Sequence, residues 1–159
     1  TMLVIPLKCS PRYELREPLA RWLDGNSSTD NVANPLALIS LRPDFKSHEC
    51  RHELIRLASL RNCLSDSIMK PTSHKVSLEE MALQDCHEYH AALFEFIRRG
   101  FPTDNDESSL SLTWKASVGP QTETHGSLEW DRACTIWNIA ALESYLASIQ
   151  ASDKQGRKQ

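Results

Sequence analysis

The segment Leu128-Glu-Trp-Asp-Arg-Ala-Cys-Thr-Ile-Trp-Asn-Ile-Ala-Ala-Leu142 constrains the fold of this chain more than any other. It reads as a helix of about Leu128 to Ser148, with Ser127 placed to cap it. Leu128, Ala133, Ile136, Trp137, Ala140, Tyr145 and Ile149 are apolar, and so are Trp130, Ile139, Ala141 and Leu142. A helix apolar on that many sides needs cover on several of them. The expectation is therefore an interior rod, or one that awaits a further neighbour. Just before it, Leu110, Leu112 and Trp114 alternate with Ser111, Thr113 and Lys115, the period of a half-buried strand. Gly119-Pro120 turns the chain between the two.

The rest of the chain supplies packing partners for that rod. Met2 to Leu7 reads as a short strand, which Pro6 confines to an edge because it lacks an N–H. Leu15, Leu19, Trp22 and Leu23 recur at helical spacing, with Pro18 in the first turn. Asp24 to Asn31 forms turns, and Asn34 to Pro43 reads as a loop. Asp44 can cap a helix of roughly Phe45 to Leu64, whose inner stripe is Cys50, Leu54, Leu57, Ala58 and Leu64, with Arg51, Glu53, Arg56 and Arg61 mostly outside it. Ser65 to Lys75 reads as a polar connection. Ser77-Leu-Glu-Glu80 is a capping box, opening a helix with Leu78, Ala82, Cys86, Tyr89, Leu93, Phe96 and Ile97 on one face. Arg98-Arg-Gly-Phe-Pro102 closes that helix with cations, a glycine and a proline. The fold class is mainly α with a small α+β component: long antiparallel helices and a two- or three-stranded sheet near the N-terminus.

A chain of 159 residues with 40% hydrophobic and 25% charged residues can build one real core. Its net charge of −3 gives no general attraction to nucleic acid or anionic lipid. No apolar run approaches the ~20 residues of a membrane span. Cys9, Cys50, Cys63, Cys86 and Cys134 are odd in number and hold no C-x-x-C pair, which points to free thiols in a reducing compartment. Both ends read as cuts, since the first residue is Thr and the last residues are polar.

Two clusters offer chemistry. His48 and His52 are four residues apart on one helix and could share a metal, although a transition-metal site normally takes three or four protein ligands. Cys86 and His90 have the same spacing and could form a thiolate pair. Cys86 lies on the apolar face, however, where a thiol is usually inert. Glu79, Glu80, Glu88 and Glu95 read as a solvated face, and the tryptophans as core filling. The residues themselves thus favour no enzyme, and no cofactor or metal is expected.

The order of motifs resembles the N-terminal part of the BRO domain, the family of Alix, the His-domain tyrosine phosphatase and rhophilin. The residues that carry the likeness are Val4-Ile-Pro-Leu-Lys8 with Glu17-Pro-Leu19, then Leu57-Ala-Ser-Leu-Arg61, and Tyr89 to Phe101-Pro102. Thr113-Trp-Lys115 follows, and then Glu129 to Leu142, which fits Glu-x-x-x-Ala-Cys-x-x-x-Asn-x-Ala-Ala-Leu. The resemblance makes residues 1–150 the first part of such a domain, with an insertion at 25–43 and a polar tail at 151–159 leading towards further helices. It implies a cytoplasmic adaptor recruited to endosomes, working in ESCRT-linked multivesicular body sorting. The partner it implies is the C-terminal helix of an ESCRT-III subunit, with peripheral membrane association and no nucleic acid. The family's partner patch would lie after Gln159, so no partner-binding residue carries over. Trp114 and Asn138 match motif positions and take structural roles, Trp114 anchoring the sheet and Asn138 satisfying nearby backbone. The readings set against this are a small metal- or thiol-dependent enzyme using His48/His52 or Cys86/His90, and a Rho-effector scaffold of the rhophilin type.

Overall fold

The structure, a computed structural model, describes residues 5–26, 47–69, 76–99, 101 and 110–156; the side chains of 22–26, 47–50, 76–77 and 153–156 are outside that description. Among these residues the chain forms helix α1 (Arg16–Asn26), α2 (Ser47–Met69), α3 (Val76–Arg98), strands β1 (Leu112–Lys115) and β2 (Thr122–His125), and α4 (Leu128–Gly156). The fold is mainly helical with one small antiparallel sheet, as the periodicities predict. The loop and insertion at 27–43, the Asp44 cap, the Ser77 side chain of the capping box and Pro102 lie outside the described residues.

Successive long helices run antiparallel. Glu53 near the start of α2 pairs with Arg99 just past the end of α3, while Ser67 near the end of α2 bonds Asp85 in the first half of α3. Likewise Tyr89 and His90 of α3 meet Asp131 and Arg132 at the start of α4, and His87 meets Glu143 further along. The core between them holds Leu54, Leu57 and Leu64 from α2, Cys86, Tyr89 and Leu93 from α3, and Leu128 and Leu142 from α4. Leu15 and Leu19 extend it beneath α1.

Helix α2 runs to Met69, past the expected end at Leu64. Ser65, Asp66 and Ser67 looked like a connection because they are polar, but each has a partner on another element. The Ser65 hydroxyl donates to the Ser10 carbonyl at 2.6 Å, Asp66 accepts from Arg12, and Ser67 bonds Asp85. Ile68 then completes the buried stripe. The end of α3 follows expectation. The Phe101 amide reaches back to the Phe96 carbonyl at 3.2 Å, five residues earlier, and so closes the last turn.

The sheet pairs Leu112 with His125 and Lys115 with Thr122. Sequence reading missed β2, because Thr122-Glu-Thr-His125 has no apolar alternation and lies mostly exposed. Its partner supplies the order, including a Thr113–Thr124 hydroxyl contact of 2.8 Å. The expected N-terminal strand at Met2 to Leu7 is not seen over its described part. Only Cys9 pairs, as a single antiparallel bridge to Lys115. Pro6 cannot donate to a ladder, and the Lys8 backbone is bonded by a side chain instead of by a strand.

Gly119 turns the hairpin with φ of +89°, a conformation that costs an L-residue with a Cβ. Nothing lies within 4 Å of where that Cβ would sit, so the cost is one of backbone alone. Gly119→Ala is expected to lower stability by about 1 kcal/mol in thermal or denaturant melts, and Gly119→Asn by less.

Candidate functional site

Helix α4 is not a fully covered rod; its outward apolar residues agree with the other expectation, a rod that awaits a further neighbour. Ala133 and Ala140 are exposed, and Ile136 and Trp137 are 44% and 43% exposed. The buried stripe is instead Leu128, Asp131, Cys134, Thr135, Asn138, Ala141 and Leu142, at helical spacing. Polar residues therefore face inward, while two of the largest apolar ones face outward among the described residues. The inward polar groups are all bonded, and they organise the centre of the fold.

Asp131, fully buried, is the hub. Its Oδ1 accepts from the Trp114 indole N–H at 2.6 Å. Its Oδ2 accepts from Arg61 Nε at 3.1 Å and from the Tyr89 hydroxyl. Arg61, also fully buried, continues through Nη2 to the Ser10 hydroxyl, which in turn donates to the Thr113 carbonyl at 2.6 Å. One ion pair thus ties together the N-terminal segment, α2, α3, β1 and α4. The guanidinium also lies over the Trp114 ring, 4.8 Å from its centre. Burial is the largest single influence and would lower the Arg61 pKa, but the groups around it, Asp131 foremost, together hold it above the ordinary value. Burial and the same carboxylate push the Tyr89 hydroxyl well up, so it stays protonated and donates. Arg61 was read as lying off the core stripe of α2, and the structure corrects this. It follows Leu54, Leu57 and Ala58 at core spacing and precedes Leu64, so the position is interior despite the charge.

Asn138 performs a second task in the same helix. Its Oδ1 accepts from the Lys8 amide at 2.8 Å, and its Nδ2 donates to the Lys8 carbonyl at 2.9 Å. The side-chain amide thereby stands in for a neighbouring strand. The Trp137 indole donates to the Pro6 carbonyl at 3.1 Å, and the Lys8 ammonium lies 5.7 Å from the Trp130 ring centre. Trp130 is half-buried against His125. Of the tryptophans whose side chains are described, only Trp114 is full core filling; the other two border the N-terminal segment.

Of the two candidate chemical clusters, only Cys86/His90 has both side chains among the described residues, and no hydrogen bond joins them there. Cys86 is fully buried, and burial, helped by Asp85, pushes its thiol up to about 12. His90 instead accepts from Arg132 Nε at 3.3 Å. A thiol kept protonated by burial is no nucleophile. His52 is exposed, and the His48 side chain lies outside the described residues. Sequence reading took these two as a bare pair, but with Glu49 between them they also spell His-Glu-x-x-His, the spacing of a zinc peptidase motif. That motif falls in the first turns of α2, and among the described residues no three His, Cys, Asp or Glu gather to hold a metal ion. The four glutamates are not one solvated face either. Glu80 and Glu88 are exposed and Glu95 pairs with Arg98, but Glu79 is buried, with no hydrogen-bond partner for either carboxylate oxygen among the described residues. Alkylation should show the thiol contrast directly. Exposed Cys63 is expected to label fast in the native protein, and Cys86 only after unfolding, as read by peptide mass spectrometry.

Some exposed apolar side chains stand on the α3/α4 pair. Phe94 of α3 is 43% exposed under the Arg132 guanidinium, and Ile136 and Trp137 stand on α4. A family model described as BRO1-like domain matches residues 2–159. The chain belongs to the BRO1-like family. Searches of curated proteins and of solved structures return no match. This BRO1-like domain is accordingly a protein-interaction scaffold. No helix among its described residues is long and apolar enough to cross a membrane.

Proposed function

We propose that this BRO1-like domain serves as a cytoplasmic adaptor in ESCRT-linked endosomal sorting, where it binds the C-terminal helix of an ESCRT-III subunit. The observation that carries the reading is the family match along nearly the whole chain. The physics of the fold supports it. Antiparallel helices joined by a buried ion pair are suited to holding a groove for an amphipathic partner helix. The partner patch belongs to helices that would follow Gln159 in such a domain, and recruitment to endosomes would be peripheral, through that partner. Titration of the full-length protein with an ESCRT-III tail peptide, followed by calorimetry, should give saturable binding. A folded full-length protein that shows no binding refutes the role. Pull-down with an activated Rho-type GTPase separates it from a Rho-effector scaffold. Elemental analysis of the same preparation should find no stoichiometric zinc, whereas one zinc per chain would favour a site at His48 and His52.

A further inference from the structure

The N-terminal segment 5–10 is attached to the body of the protein in an unusual way. Ile5, Leu7 and Cys9 are only half-buried and Pro6 is exposed, so little apolar surface holds it. Its attachment is polar: Pro6 to Trp137, Lys8 to Asn138 on both sides of its peptide unit, Cys9 to Lys115, and Ser10 to Ser65, Arg61 and Thr113. Only Ser10 is deeply buried, and it meets the charged hub. Of the three guanidinium nitrogens of Arg61, one faces Asp131, one faces Ser10, and Nη1 has no hydrogen-bond partner among the described residues. The strap therefore supplies one of two hydrogen-bond partners to a buried cation. Without Ser10 that side of the guanidinium would open to water, and without Asp131 nothing would hold Arg61 against Ser10.

We propose that segment 5–10 is a strap coupled to the Arg61–Asp131 pair, so that strap docking and closure of the pair occur as one conformational step. Docked, the strap covers the second edge of β1 through Cys9 and lies along Trp137 and Asn138. Released, it frees that edge and opens the pair, which loosens the hairpin from α2 and α4. Such a unit opens below the global unfolding threshold, because it is held by few apolar contacts and several hydrogen bonds near the surface.

The test perturbs one end and reads the other. Tyr89→Phe removes a hydroxyl from Asp131 without touching any strap residue. Amide hydrogen exchange on the intact chain should then show the Lys8 and Lys115 amides exchanging faster, on the order of tenfold, as expected for loss of a hydrogen bond to a carboxylate. The Leu19 amide in α1 serves as the reference and should change much less. In the reverse direction, Asn138→Ala acts only on the strap and should accelerate exchange of the Trp114 indole N–H, which is bonded to Asp131. Wild-type rates at Lys8 and Lys115 in the first variant, or acceleration equal to that at Leu19, would overturn the coupling. If Tyr89→Phe does not fold, an unchanged Trp114 indole in Asn138→Ala overturns it alone.

Discussion

Asp131→Ala is expected to destabilise the domain by about 3–5 kcal/mol, because it leaves Arg61 charged, fully buried and unpaired. Denaturant melts should show a large fall in midpoint, and a domain of ordinary stability, about 5–15 kcal/mol, would lose a large share of it. Arg61→Met alone should cost less. The Asp131 carboxyl left behind still accepts from Tyr89 and Trp114 and can take up a proton, whereas an unpaired Arg61 cannot lose one. Combining Arg61→Met with Asp131→Leu should recover much of the loss, since replacing both members of a buried pair with apolar residues is often close to neutral. A double variant as unstable as Asp131→Ala would mean that the pair contributes net stability here, beyond fixing which elements meet.

Trp114→Ala is expected to cost about 3–5 kcal/mol, through the cavity left by the largest fully buried side chain and the loss of a hydrogen bond to Asp131. Trp114→Phe separates these parts. It keeps most of the volume and loses the indole donor, and should cost about 1–3 kcal/mol. Trp137→Ala offers the contrast within the same residue type. Half-exposed, with its indole N–H on the Pro6 carbonyl, it should cost about 1 kcal/mol. Equal losses at positions 114 and 137 would contradict the burial assignment of α4.

The parts of the fold legible in the sequence were those where apolar spacing and local chemistry agreed. Ser127 caps α4, accepting from the Trp130 amide at 3.4 Å, and the alternation ending in Trp114 marks a strand with its alternate residues buried. The end of α3 was likewise written in Arg98, Gly100 and Pro102. What could not be read was the inside of the molecule where it is polar. A charged residue is assumed to face water unless a partner is known, and the partner of Arg61 lies seventy positions away in Asp131. The spacing itself did carry the signal. Arg61 on α2 and Asp131 on α4 each occupy core positions of their helices, and two opposite charges on inward faces of neighbouring helices are best explained as a pair. β2 failed for the opposite reason. Its four residues take their order from β1 and hold no pattern of their own.

The reversed helix α4 also has a practical consequence. Its outward positions Ala133, Ile136 and Ala140 make no hydrogen bond to the hub or to the strap. A laboratory seeking a more soluble protein can therefore load that surface with lysine or glutamate and leave the buried wiring untouched. The inward asparagine at 138 permits no such liberty: even a change to aspartate, one atom different, would set a carboxylate against the Lys8 carbonyl.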